Sequence, residues 1–163
     1  MKIEDGKFYF ISDDYYELFN NYSLMTNKEN GNKRPCYLCF SDEKMPNIIW
    51  FVPISHKVEK YKKIYKKKTE KRKQVFNFVF GNVLGEEKVF LIQNMIPVTE
   101  KYIIAKYQTK GIDVEIKYAL KQKVIKTAKI VLNLTEKYGY NNILFSDIES
   151  MKKILNEIKK ETI

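Results

Sequence analysis

Ser55, His56 and Lys57 stand side by side: a hydroxyl, the chain's one imidazole and an ammonium, all side chains that serve proton transfer and phosphate chemistry. The run before them, Trp50-Phe51-Val52-Pro53-Ile54, reads as a buried strand that closes at its proline. After them, Lys57 to Lys73 holds ten Lys or Arg against two Glu, a net +8 of the chain's formal +10. The charge is therefore a patch, and such a field attracts polyanions. Tyr61 and Tyr65 within it are rings on which unpaired bases could stack, so single-stranded or folded RNA is the expected partner. The expected RNA-binding residues are His56, Lys60, Tyr61, Lys62, Lys63, Tyr65, Lys66, Lys67, Lys68, Lys71 and Arg72.

RNA carries its own nucleophile. Its 2′-hydroxyl can attack the adjacent phosphate, leaving a 2′,3′-cyclic phosphate on one product and a 5′-hydroxyl on the other. A protein then has to supply a proton acceptor, a proton donor and cations or donors around a phosphorane whose negative charge grows. Ser, Lys, Arg, His and Tyr suffice for that. Acidic pairs suited to a two-metal nuclease are not evident, since Asp13 and Asp14 look like helix-start residues, so no metal or other cofactor is expected. His56 is the tempting base because imidazole exchanges protons readily near neutrality. A solitary histidine after a strand is also often merely exposed, and Ser55 lacks the surroundings of a serine nucleophile.

The elements that must position these groups follow from periodicity. Lys7 to Ile11 alternates as a strand, and Ser12 is placed to cap a helix that runs to about Asn21, with Tyr15, Leu18, Phe19 and Tyr22 as its core stripe. Ser23 to Lys33 turns polar and reads as a loop carrying Asn27, Asn30, Gly31 and Asn32. Pro35–Phe40 and Ile48–Ile54 form a hairpin through Ser41–Asn47, which brings Lys33 and Arg34 next to Ile54 and Ser55. Two cations could thus converge with Ser55 and Lys57 on one edge.

Gln74–Phe80 and Lys88–Gln93 read as partner strands across a turn in Gly81–Glu87, with Phe76, Phe78 and Phe80 on one face that needs a cover. Asn94–Val98 leads away, with Pro97 at an edge. Apolar residues from Ile112 through Ile116, Leu120, Val124, Ala128 and Val131 to Leu134 recur at helical spacing, stopped by Gly139 and the Tyr140-Asn141-Asn142 turn. Ser146 with Glu149 offers a capping box for a last helix through Met151, Ile154, Leu155 and Ile158. Five or six strands in hairpin order with helical covers give an α+β fold: a twisted antiparallel sheet, a partly open barrel, surrounded by helices in one domain over residues 1–163.

Composition closes off other classes. The chain is 44% hydrophobic, enough for a substantial core, and no apolar run approaches the ~20 residues of a membrane span. A soluble, cytoplasmic protein is expected, and the lysine run lacks the apolar opposite face of a peripheral membrane helix. Cys36 and Cys39 lie three apart in a strand-like segment, face opposite sides and have no second pair, so half-buried thiols are expected in place of a zinc site.

Four stretches together carry a family resemblance: Phe8-Tyr9-Phe10-Ile11-Ser12, Arg34-Pro35-Cys36-Tyr37, Val52-Pro53-Ile54-Ser55-His56-Lys57 and Asn94-Met95-Ile96-Pro97-Val98. In this order they resemble the ToxN/AbiQ-like toxins of type III toxin-antitoxin systems, and the CptN branch most. The resemblance implies a metal-independent endoribonuclease toxin that acts in phage defence by abortive infection. It implies neutralisation by a small repeated pseudoknot antitoxin RNA, within closed protein–RNA rings. Carried over by motif, the family's Ser and Lys fall on Ser55 and Lys57, and Arg34 or Lys33 takes the place of its basic residue. Ile54 stands where the family has threonine, Asn32 where it has an active-site tyrosine, and His56 matches no family position. The expected catalytic set is Ser55, Lys57, Arg34 and Lys33. The rival expectation is a non-catalytic module for structured RNA.

Overall fold

The computed structural model describes residues 1–71, 74–139, 143–144 and 146–161. Its centre is an antiparallel sheet of seven strands that does not close, flanked by helices, which is the architecture that alternation and hairpin order imply. Strand β1 (Phe8–Ile11) is followed by helix α1 (Asp13–Leu18), which starts at Ser12 as expected but ends about three residues early, at Phe19. Ser12 has the extended backbone of an N-cap, yet its hydroxyl makes no cap bond. Tyr15 and Phe19 enter the core, whereas Leu18 is exposed.

The polar stretch at 23–33 is not structureless. It folds a small hairpin, β2 (Lys28–Glu29) and β3 (Asn32–Lys33), around an Asn30-Gly31 turn. Strands β4 (Cys36–Ser41) and β5 (Ile49–Ser55) pair as expected, with Cys36 opposite Pro53 and Tyr37 opposite Val52. Pro53 does not end its strand. Ile54 donates its N–H to Pro35 O, so Pro53 faces the other edge of β5, between the pairing of Phe51 and that of Ile54 with later strands. The missing N–H therefore falls in a gap in the ladder.

The lysine run forms helix α2 (Val58–Lys71). Next, β6 (Phe78–Val83) starts four residues later than the expected Gln74 and β7 (Glu86–Leu91) two residues earlier than the expected Lys88, because Leu84 and Gly85 adopt positive φ and shorten the connection to a tight turn. Phe78 and Phe80 do face a cover: Tyr61 and Tyr65 of α2 pack on them, with ring centroids 5.2 Å and 5.7 Å apart. Strand β8 (Ile96–Val98) sets Pro97 opposite Trp50, pairing with β5 alone. Strand β9 (Ile103–Lys106), absent from the strands that alternation implies, adds to β1 and raises the strand count to seven. Main-sheet order is β6-β7-β5-β4-β1-β9.

Ile112 precedes the long helix. It lies in a second small hairpin, β10 (Gln108–Thr109) with β11 (Ile112–Asp113), turned at Lys110-Gly111, and α3 (Tyr118–Tyr138) begins later, ending at Gly139 with φ +77°. Helix α4 (Ile148–Glu161) is capped by Asp147, whose carboxylate accepts the Ser150 N–H at 3.2 Å, in place of the Ser146–Glu149 box. The expected turn at 140–142 lies outside the described residues. Helix α3 runs so close over β6 that a Cβ on Gly81 would meet Leu120 Cδ2 at 2.3 Å. Cys36 and Cys39 are fully buried, and burial pushes the Cys36 thiol up to about 12, so both are inert core groups.

Curling of the sheet is visible in its interior. Phe90 of β7 lies 6.2 Å from Phe8 of β1 and 5.6 Å from Tyr37 of β4, ring to ring, although β1 and β7 are not neighbours. Each such buried ring stabilises by roughly 1.5–3 kcal/mol. The open seam of this curled sheet, between its two outer ends, is where the candidate site sits.

Candidate active site

The site is built by bringing the Asn30-Gly31 hairpin onto the end of β5. Asn30 and Gly31 have φ of +53° and +78°, the paired left-handed conformation that Asn-Gly adopts most readily, and this fixes Glu29 opposite Asn32. Arg34 ties the hairpin down. Its N–H donates to Asn27 O at 2.7 Å, Nε to Thr26 O at 3.2 Å and Nη1 to Ile54 O at 2.9 Å. Nη1 also forms an ion pair with Glu29 Oε2, within a pair whose side chains are 6% and 14% exposed.

Glu29 is the centre of the cluster. Besides Arg34, its Oε2 accepts the Ser55 hydroxyl at 3.0 Å, and its Oε1 accepts the His56 main-chain N–H at 2.9 Å and the His56 ring Nδ1. Burial pushes the Glu29 carboxyl up. The His56 N–H, the Arg34 guanidinium, the Ser55 hydroxyl and the imidazole outweigh it, and the result is a carboxyl lowered to about 2. At any physiological pH it is an anion with all its donors in place.

His56 is oriented from both sides. A carboxylate accepts only, so in the neutral ring Nδ1 carries the proton towards Glu29, and Nε2 is the acceptor facing the Asn30 Nδ2 amide at 3.2 Å. Ser55 is 2% exposed and its Oγ also accepts the Lys57 N–H at 3.2 Å, a local cap at the entry to α2.

A cavity of about 720 Å³ opens over this cluster, lined by Glu29, Asn30, Lys33, Arg34, Ser55 and His56 on one side. Its far wall comes from Val83 and Leu84 at the β6 end and Ile104 and Ala105 of β9. Of the expected catalytic set, Ser55, Arg34 and Lys33 meet at this cavity; Lys57, the residue after His56, is exposed and does not line it. Two expectations change. Arg34 is a buried strut between Glu29 and Ile54 and not an open cation, and Lys33 is held by Asp13 at 3.3 Å. Glu29 and Asn30 were missed, although Asn-Gly between two-residue arms was a legible hairpin signal.

On α2, Lys60, Lys62, Lys63, Lys66, Lys67 and Lys71 are exposed and Lys68 is half-buried, a basic face directly after the cavity's His56. Lys62 pairs with Glu87 at 2.6 Å. The base-stacking expectation fails for Tyr61, which is 7% exposed because its ring covers Phe78; Tyr65 is half-buried with its ring edge-on to Phe80. Arg72 lies outside the described residues. Among the described residues, no helix is long and apolar enough to cross a membrane.

No protein-family model and no curated protein matches the sequence. Solved structures do share its shape. AbiQ, a lactococcal anti-phage endoribonuclease of the type III toxin-antitoxin system, superposes with a TM-score of 0.65 at 16% identity, over 94% of this chain and 98% of AbiQ. A protein from a bacterial antiviral system regulated by a processed non-coding RNA superposes with a TM-score of 0.63 at 12% identity, over 88% of this chain and 95% of that one. The chain thus has the fold of AbiQ along nearly its whole length, with Glu29, Ser55 and His56 gathered at the open seam of its sheet.

Proposed function

We propose that the chain is a single-domain endoribonuclease toxin that cuts RNA by attack of the 2′-hydroxyl, without a metal, leaving 2′,3′-cyclic phosphate ends. One observation carries this reading: Ser55, His56, Glu29 and Lys33 converge in an open cavity at the foot of a helix whose exposed face is lysine. The cavity offers a proton acceptor and donors to a phosphate, and the helix offers the field that draws RNA to them. The exposed Lys57 meets the charge of the phosphorane; Ser55 holds the carboxylate and the entry to α2 in register. AbiQ, whose fold the chain shares, is described as an anti-phage endoribonuclease, which supports the same activity and a role in phage defence here.

By the same reading, a small repeated pseudoknot RNA neutralises the protein within a closed protein–RNA assembly in the cytoplasm. The second structural relative belongs to an antiviral system regulated by a processed non-coding RNA, which supports an RNA regulator. The experiment is incubation with RNA in excess chelator, followed by analysis of the product ends. Fragments ending in 2′,3′-cyclic phosphate and 5′-hydroxyl are the expected result. RNA that is bound and left intact would favour a non-catalytic RNA-binding module.

A further inference from the structure

We propose that His56 is the general base of this site, positioned by Glu29, and that the Asn30 amide holds the place on Nε2 that the substrate's 2′-hydroxyl takes. The inference rests on the endoribonuclease reading above and goes beyond it by assigning the proton.

Three features of the cluster point the same way. The bond from Nδ1 to Glu29 Oε1 and the contact from Asn30 Nδ2 to Nε2 select one tautomer of the neutral ring, with the lone pair on Nε2. His56 and Asn30 both line the cavity, so the lone pair is presented where substrate enters and its present partner is a turn residue at the hairpin tip. The ring is also fixed at its root, because the His56 N–H donates to the same Oε1 at 2.9 Å. A carboxylate bound to imidazole at Nδ1 stabilises the imidazolium that forms when Nε2 takes a proton, without taking that proton itself.

The other groups at the cavity are poorly suited to the task. Ammonium and guanidinium groups are donors only, which excludes Lys33, Arg34 and Lys57 in their charged forms. Glu29 already receives Arg34, Ser55 and His56 and stays ionised down to about 2, too weak a base to take a hydroxyl proton. The step balances with no co-reactant but water. The O2′–H bond breaks and its proton goes to His56 Nε2, the O2′–P bond forms, the P–O5′ bond breaks, and O5′ leaves with a proton taken from water. Deprotonation of the imidazolium by solvent restores the base.

The test compares wild-type protein with His56→Ala on two oligonucleotides, one ordinary and one with sulfur in place of the bridging 5′ oxygen at the cleavage position. A thiolate leaves without protonation, so the sulfur substrate has no need of a general acid but still needs a base. His56 is an exposed residue, and its truncation leaves the buried Glu29–Arg34 pair in place. Cutting is expected to fall by about a hundred- to ten-thousand-fold on both substrates, with free imidazole restoring part of it. A loss below about tenfold, or a loss that vanishes on the sulfur substrate, overturns the assignment while leaving the endoribonuclease reading intact. Wild-type protein that cuts neither substrate overturns both.

Discussion

Replacing Glu29 by Gln tests the centre of the cluster through stability, independently of any activity. The folded carboxyl sits at about 2 against an ordinary 4.5, and each tenfold change in proton affinity is worth about 1.4 kcal/mol. The side chain is 14% exposed, so solvent removes only part of this and the ionised form contributes roughly 2–3 kcal/mol at neutral pH. The sign follows from a lowered value: the stabilisation is complete above the ordinary 4.5 and is lost as pH falls through the interval down to about 2. Urea unfolding of both proteins at pH 7, 5, 4 and 3, followed by fluorescence of the buried Trp50, gives the difference directly. Asp42 and Asp113 are also held low, so both proteins weaken in acid and only the difference reports Glu29. It should be largest at pH 7 and shrink steadily below pH 4.5. A difference that stays constant from pH 7 to pH 3 would refute the argument that Glu29 is ionised and held by these partners. Adding Arg34→Met to Glu29→Gln should recover part of the loss, because the cost includes a buried guanidinium left without its anion.

Ser55→Ala removes the donor to Glu29 Oε2 and the acceptor of the Lys57 N–H; cutting should drop at least tenfold while RNA affinity, read by filter binding, stays within about tenfold, since one neutral hydrogen bond is worth about 0.5–1.5 kcal/mol. Changing Lys63, Lys66 and Lys67 together to Gln should weaken substrate and regulator RNA alike and flatten the slope of log affinity on log salt by roughly 0.7–0.9 for each phosphate no longer neutralised, whereas an unchanged slope would mean that this face of α2 meets no RNA. Gly31→Ala forces a side chain onto a φ of +78°, which costs roughly 1–2 kcal/mol in a hairpin with two-residue arms. Cutting should therefore suffer more than the thermal midpoint of the whole protein, because the hairpin carries Glu29 and Asn30 and little of the core.

What the sequence disclosed follows from how local each signal is. The β4–β5 pairing and its consequence, Arg34 beside Ile54, come from two apolar runs and one short connection, and the register sets Arg34 Nη1 2.9 Å from Ile54 O. The lysine face of α2 is a matter of composition and was equally plain. Tyr61 reads as a stacking ring because a charged segment hides its own amphipathic side: Ile64 and Tyr65 lie three and four residues after Tyr61, and all three belong to the cluster over Phe78, Val89 and Leu91. Glu29 escapes a reading of this kind because its neighbours in the sequence, Thr26 to Arg34, are all polar or glycine. Its place is set by an Asn-Gly turn and a buried ion pair with Arg34 five residues on, and hydrophobic periodicity carries no trace of either. Ile112 misleads for the converse reason, since its spacing matches a helix, whereas the Lys110-Gly111 turn pairs it within β11 and α3 begins only at Tyr118.

Under the proposed function, an anionic centre sits in a site that must accept a phosphate. A bare carboxylate about 8 Å from a phosphate would oppose binding by roughly 2 kcal/mol at an effective dielectric near 20, before salt reduces it. Arg34 cancels this, since its Nη1 rests on the same carboxylate, and the pair is close to neutral when seen from the cavity. Under that proposal the field that RNA meets is the one set by Lys57 and the exposed lysines of α2. The two halves of one ion pair should therefore affect RNA affinity in opposite directions. Glu29→Gln leaves Arg34 uncompensated and should tighten RNA by about three- to tenfold while cutting collapses; Arg34→Met leaves Glu29 uncompensated and should loosen it by a similar factor, although Arg34 is 5% exposed and hardly reachable by RNA. Affinities measured at low salt on an uncleavable 2′-deoxy substrate separate binding from cutting. If both variants bind more weakly, the pair matters only for holding the hairpin in place, and the electrostatic account of the cavity is wrong.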